Sequence, residues 1–156
     1  MDLNLNEENV LYLDGNSNRD EVLLKIATAM VKDGYVKDSY PEAIVKREIA
    51  FPTALPFEDF GVAIPHTDAD HVNVNQIMVG VLKEGVNFTV MGSDSDTVEV
   101  KMIFMLAVND YENYLTFLQK FITVFQEKGV LDQLYNSASP YELVSQFKSL
   151  LNKVED

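Results

Sequence analysis

The spacing of apolar residues along this chain changes twice. Val22, Leu23, Ile26, Ala27 and Met30 recur at helical spacing, with Ser17 or Asn18 available as a cap and Gly34 as the stop. A second helix is predicted over residues 40–49, with Pro41 in its first turn and Ala43, Ile44 and Ile49 as its apolar face. Pro52 and Pro56 predict an irregular segment after it. The spacing then shortens. Residues 61–64 (GVAI) read as an apolar strand stopped by Pro65. Residues 77–82 (IMVGVL) read as another, followed by a turn at Lys83-Glu84-Gly85 and a short edge piece at 88–91. After an acidic loop at 92–96, residues 98–108 (VEVKMIFMLAV) predict a central, buried strand. A polar loop is expected at 109–113. From Tyr114 the helical period returns, with Leu115, Leu118, Phe121, Ile122 and Phe125 as one stripe closed near Gly129. Residues 131–135 suit a single turn. Pro140 opens a last helix with Leu143, Val144, Phe147, Leu150 and Leu151 inside.

Helices, then strands, then helices predict an α/β domain: a mixed β-sheet with helices packed on its faces. The chain has 156 residues, 47% of them hydrophobic, and no linker, repeat or low-complexity tract. It therefore reads as one domain over 1–156, with frayed ends at 1–5 and 152–156. There is no cysteine, which excludes a disulfide, a thiolate metal site and a thiol nucleophile. Twelve basic against 25 acidic residues give a net charge of -13. That balance opposes non-specific binding to nucleic acid and docking on anionic lipid, and suits partners that are neutral or present a basic patch. No apolar run is long enough to span a membrane, and the polar, acidic start is the opposite of a signal peptide. The cytoplasm is the expected location.

The only histidines are His66 and His71. Both lie in Ile64-Pro65-His66-Thr67-Asp68-Ala69-Asp70-His71. One reading is a surface loop with two ordinary imidazoles. The other places His66 at the sheet edge, aimed by the rigid Pro65, at a position where loops commonly carry function. Two imidazoles and two carboxylates invite a metal reading, but no recognised ligand spacing is present. Arg47-Glu48, at the end of the second predicted helix, reads either as a solvated ion pair or as chemistry. In the second case Arg47 folds over His66 and binds phosphate oxygens with its donor fork. Thr53 and Thr67 offer hydroxyls to the same oxygens. A neutral imidazole is a competent phosphoryl acceptor. The lack of a P-loop or kinase glycine loop argues for a protein-to-protein phosphate relay over ATP chemistry.

Taken in order, Arg19-Asp20-Glu21-Val22-Leu23, Tyr40-Pro41-Glu42-Ala43-Ile44, Arg47-Glu48 with Phe51-Pro52-Thr53, and Val62-Ala63-Ile64-Pro65-His66 resemble one family. Asp94-Ser95-Asp96, Val98-Glu99-Val100-Lys101 and the late helix extend the likeness over nearly the whole chain. The sequence resembles the IIA domains of the sugar phosphotransferase system (PTS), type 2, of the mannitol/fructose class, and looks most like the galactitol type. The resemblance implies a phosphotransferase of the corresponding IIA fold. It puts the phosphorylated histidine on His66 and the active-site arginine on Arg47. The donor would be HPr, charged from phosphoenolpyruvate by enzyme I. The acceptor would be a cysteine of the IIB subunit, with the IIC permease coupling transfer to sugar uptake. No cofactor and no metal are implied. One ring nitrogen would point outward as nucleophile while a hydrogen bond at the other sets the tautomer. An apolar rim would let HPr and IIB dock in turn, with Phe57, Phe60 and Val62 as candidates for rim or core.

Two departures from the mannitol pattern stand out. Thr67 follows the histidine where glycine is usual. The second active-site histidine of those members, at the start of the late helix, has its matching place near Tyr114, and His71 is the available substitute partner for His66. Two other functions compete: a regulatory IIA-like domain whose His66 phosphorylation state controls a protein partner, and a non-catalytic binding domain with inert histidines.

Overall fold

A computed structural model describes residues 4–15 and 18–154. Among the described residues, five strands form one sheet: β1 (Val10–Leu13), β2 (Ala54–Pro56), β3 (Gly61–Ala63), β4 (Gln76–Thr89) and β5 (Thr97–Ala107). Their spatial order is β1-β4-β5-β3-β2. β1 runs parallel to β4 and β3 parallel to β5, whereas β4/β5 and β2/β3 are antiparallel. The sheet is mixed and β5 is its middle strand, as the long apolar run predicts.

Both faces are covered, and side-chain alternation explains how. On β4 and β5, Ile77, Val79, Met102, Phe104 and Leu106 point to one side. They pack under α3 (Tyr111–Phe125), α4 (Val130–Tyr135) and α5 (Pro140–Asn152). The Phe104 ring lies 4.9 Å from Phe125 and 5.0 Å from Phe147. Met78, Leu82, Ile103 and Met105 point to the other side, under α1 (Arg19–Lys32) and α2 (Tyr40–Ala50). Gly80 lets α1 approach closely, because a Cβ there would lie 2.6 Å from Ile26 Cδ1. Gly34 ends the α1 region at φ 82°, a left-handed conformation that suits glycine.

Several expected elements change. Residues 54–56 are not irregular: they form the edge strand β2, where Pro56 occupies a terminal position. Lys83-Glu84-Gly85 does not reverse the chain. The pairing jumps from Val81↔Met102 to Val86↔Val100, so the three residues are absorbed in a bulge and β4 continues through Phe88 to Thr89. β1 has no counterpart among the predicted strands. Leu5, expected in a frayed end, is only 3% exposed, and α5 extends to Asn152. The loop at 109–113 is cut short because Asp110 caps α3, accepting from Asn113 N at 2.7 Å. On α3 the buried row is Tyr114, Phe117, Phe121, Val124 and Phe125, while Leu115 is exposed. Ile49 is also exposed, and Glu48 occupies the buried row of α2 with Tyr40 and Ile44. Of the two cap candidates for α1, Asn18 accepts from Glu21 N at 2.9 Å, and Ser17 lies outside the described residues.

Ser139 caps α5, its Oγ accepting from Glu142 N at 3.1 Å. Ser139→Ala is expected to lower stability by about 1 kcal/mol in urea unfolding. An unchanged midpoint would show that the cap adds nothing there.

Candidate active site

The end of β3 delivers His66. Ile64 N donates to Thr53 Oγ1 at 3.1 Å, and Pro65 O accepts from Leu106 N at 2.9 Å, so the chain is tied on both sides just before the histidine. Thr53 is itself held by Glu48, whose Oε2 accepts from Thr53 N and Oε1 from Thr53 Oγ1, each at 2.8 Å. Glu48 is 2% exposed. Burial raises its carboxyl to about 7, opposed by the two Thr53 bonds and by Arg19.

His66 is 8% exposed, at the wall of a small cleft of about 90 Å³ shared with Arg47, Thr67, Asp68, Tyr111 and Tyr114. Burial, with help from Arg47 and opposed by Asp68, lowers its pKa to about 4. The ring is therefore neutral at physiological pH, with one nitrogen carrying a free lone pair. Among the described residues neither ring nitrogen has a hydrogen-bond partner. The expected tautomer-setting bond from protein is thus not formed. Instead, the ring stacks on Tyr114, centroids 3.6 Å apart and planes 20° apart. Tyr111, 64% exposed, lies 6.2 Å further out from Tyr114. Burial raises the Tyr114 phenol to about 12, Glu48 adding to the rise and Arg47 opposing it.

Arg47 reaches the cleft from the last turn of α2. One Nη donates to Asp68 Oδ1 at 3.0 Å, and the guanidinium lies 5.3 Å from the Phe51 ring centroid. Its Nε is buried and has no hydrogen-bond partner among the described residues. A neutral nucleophile and a cation with donor capacity thus share one cleft, an arrangement suited to a transferring anion. A larger groove of about 590 Å³ runs beside the start of α1 and the second half of β4, but it contains neither imidazole. Chemistry, not size, selects the smaller cleft.

Other candidates are placed elsewhere. His71 Nδ1 sits 2.7 Å from Ser39 Oγ, and His71 O accepts from Lys37 N, so it ties its loop to the α1–α2 connection. The aromatic partner of His66 is Tyr114. Asp68 turns to Arg47 and His71 to Ser39, so the imidazoles and carboxylates of this loop do not converge as a metal reading would need. The Thr53 hydroxyl is committed to Glu48 and Ile64. Thr67 Oγ1 lines the cleft but donates to Asp68 O. Val62 is core, and Phe57 and Phe60 pack on Phe125 and Tyr135; the cleft rim is aromatic through Tyr111 and Tyr114 instead. Glu48 was not singled out from sequence as a working residue, and Tyr114 was marked only as the place of the second active-site histidine in the mannitol pattern. Glu48 carried a signal, a charge four residues after Ile44 on the buried row of a helix.

The model of the family described as phosphoenolpyruvate-dependent sugar phosphotransferase system, EIIA 2, matches residues 4–150. The galactitol-specific EIIA component of Escherichia coli K12 is 31% identical over 116 residues, covering 74% of this chain and 77% of that protein. The mannitol-specific enzyme IIA component of Staphylococcus aureus MRSA252 is 32% identical over 143 residues, covering 88% and 91%. The solved complex of mannitol enzyme IIA with phosphorylated enzyme IIB from Escherichia coli contains a similar fold. Its TM-score is 0.73 at 22% identity, over 97% of this chain and 99% of that one.

Proposed function

Because this chain belongs to the phosphoenolpyruvate-dependent sugar phosphotransferase system EIIA 2 family, we propose that His66 is its phosphoryl-carrying residue, loaded by phospho-HPr and discharged to a cysteine of a IIB subunit. Uptake of galactitol or a related polyol through a membrane IIC component would follow, with this chain working on the cytoplasmic side. Relatives named for galactitol and mannitol match at nearly equal identity, so the polyol class is better supported than either sugar. The observation that carries the reading is the neutral, unbonded His66 ring in a cleft shared with Arg47.

In the forward step the free lone pair of His66 attacks phosphorus in line. A new N–P bond forms as the donor's N–P bond breaks, and the departing electron pair stays on the donor nitrogen. The other His66 nitrogen keeps its proton, so the ring becomes a phosphoimidazolium. Discharge runs in reverse sense: the acceptor thiolate attacks phosphorus, the N–P pair returns to His66, and the neutral ring is restored. Arg47, which lines the same cleft, would neutralise the charge that builds on the equatorial oxygens. His71 anchors the loop through Ser39 and Lys37 and takes no part in the transfer.

The test is incubation with phosphoenolpyruvate, enzyme I and HPr, followed by intact-mass measurement and site mapping. One acid-labile phosphate on His66 is expected, absent in His66→Ala and retained in His71→Ala. No phosphate, with the same HPr active on a control acceptor, would reject the carrier reading.

A further inference from the structure

Stacking at 3.6 Å leaves no room for water on one face of His66, and neither ring nitrogen meets a protein hydrogen-bond partner among the described residues. Carrying a phosphoryl group converts this ring into a cation. In most histidine sites an acceptor at the second nitrogen fixes the ring and supports that charge. Here the group in contact is the π-face of a buried tyrosine, 4% exposed. An aromatic face attracts a cation over it, most strongly where water is excluded. The tyrosine is itself fixed: Asp110 caps its helix, and Phe117 and Phe121 continue its row into the core.

We propose that Tyr114 is the positioning residue for the phosphoryl-carrying ring, its π-face orienting His66 and sheltering the phosphoimidazolium in place of a hydrogen-bond acceptor. The inference rests on the carrier reading. It assigns the work to the ring of Tyr114 and not to its hydroxyl. Tyr114→Phe should therefore preserve it, and Tyr114→Leu, which fills similar space without a π-face, should remove it. Tyr114→Met supplies a second non-aromatic filler should the leucine variant not fold.

The experiment loads folded wild-type and variant proteins with phosphoramidate. This small donor gives its phosphoryl group to the imidazole and releases ammonia, without HPr. The acidity of the phosphorylated ring is then followed by phosphorus NMR against pH. In Tyr114→Leu the ring N–H should be roughly 3- to 30-fold more acidic than in wild type, and Tyr114→Phe should match wild type. Equal acidity in the leucine and phenylalanine variants would overturn the proposal, because burial alone would then account for the contact. Failure of phosphoramidate to load wild-type His66 would overturn it too. Loading by phosphoramidate but not by phospho-HPr would remove the carrier reading and leave the role of Tyr114 still measurable.

Discussion

Replacing Arg47 with alanine is expected to slow the loading of His66 by phospho-HPr roughly 10²- to 10³-fold, the usual effect of removing one preorganised donor from a developing anion. The phosphoryl group in flight spreads negative charge over three oxygens, and Arg47 is the cation in the cleft with a buried, unbonded Nε to offer. Its other arm rests on Asp68, a carboxylate 75% exposed, so that ion pair is easily exchanged for a phosphate. Arg47→Lys should recover only part of the rate, because an ammonium supplies charge without the planar fork. Arg47 also helps keep His66 neutral, so its loss raises the pKa of the ring. Burial is the larger cause of the depression, however, and the ring should stay mostly neutral at pH 8. Quenched-flow transfer of labelled phosphate at pH 8 therefore isolates the electrostatic role. A rate within twofold of wild type there would place the arginine outside the reaction.

How much of this was legible beforehand depended on whether a feature is local. The α1 row from Val22 to Met30 and the stop at Gly34 were readable because helical spacing and glycine conformation are written within a few residues. β5 was readable as central because its run is apolar on both alternating faces. β1 was not, because its four residues become a strand only by pairing with Val79–Leu82 of a distant segment. Helix α3 carries two apolar rows at helical spacing, and the position of the sheet decides which one is buried. Phe121 and Phe125 of the expected stripe are buried on Phe104 and Phe147, but the row continues through Phe117 and Tyr114, which leaves Leu115 exposed and Leu118 at the margin of the core. In the site, Arg47 and His66 were legible from the helix end, the strand end and the family pattern. The family pattern marked the place of Tyr114 as a second active-site position, but not that its ring, and not His71, would be the partner of His66, because that contact joins side chains from separate elements. The roles of Thr53 and Glu48 were hidden for a related reason: a hydroxyl near a candidate site looks available until its buried partners are seen.

Those buried partners lead to opposite pH dependences. The pKa of His66 falls from an ordinary 6.5 to about 4, so between those values the unfolded chain binds the proton more readily and stability rises with pH. The carboxyl of Glu48 rises from an ordinary 4.5 to about 7, so over that window the native state holds the proton longer and stability falls with pH. Between pH 5 and 7.5 each contributes roughly 2 kcal/mol with opposite sign, and in the wild type the two largely cancel. Single substitutions should expose them. The stability of Glu48→Gln relative to wild type should increase by roughly 2 kcal/mol from pH 5 to 7.5, and that of His66→Gln should decrease by a similar amount. Glutamine at position 48 keeps one acceptor for Thr53 and loses the other, which adds a constant offset of about 1 kcal/mol but no slope. Taking differences from wild type removes the shared background of the other carboxylates in a chain of net charge -13. Urea unfolding at several pH values above the isoelectric point measures both slopes. Variant curves that run parallel to wild type would mean that both groups titrate in the folded protein as they do in the unfolded chain. The His66 ring would then be partly protonated near pH 6.5, and its readiness as a nucleophile would have to come from its partners at the moment of docking.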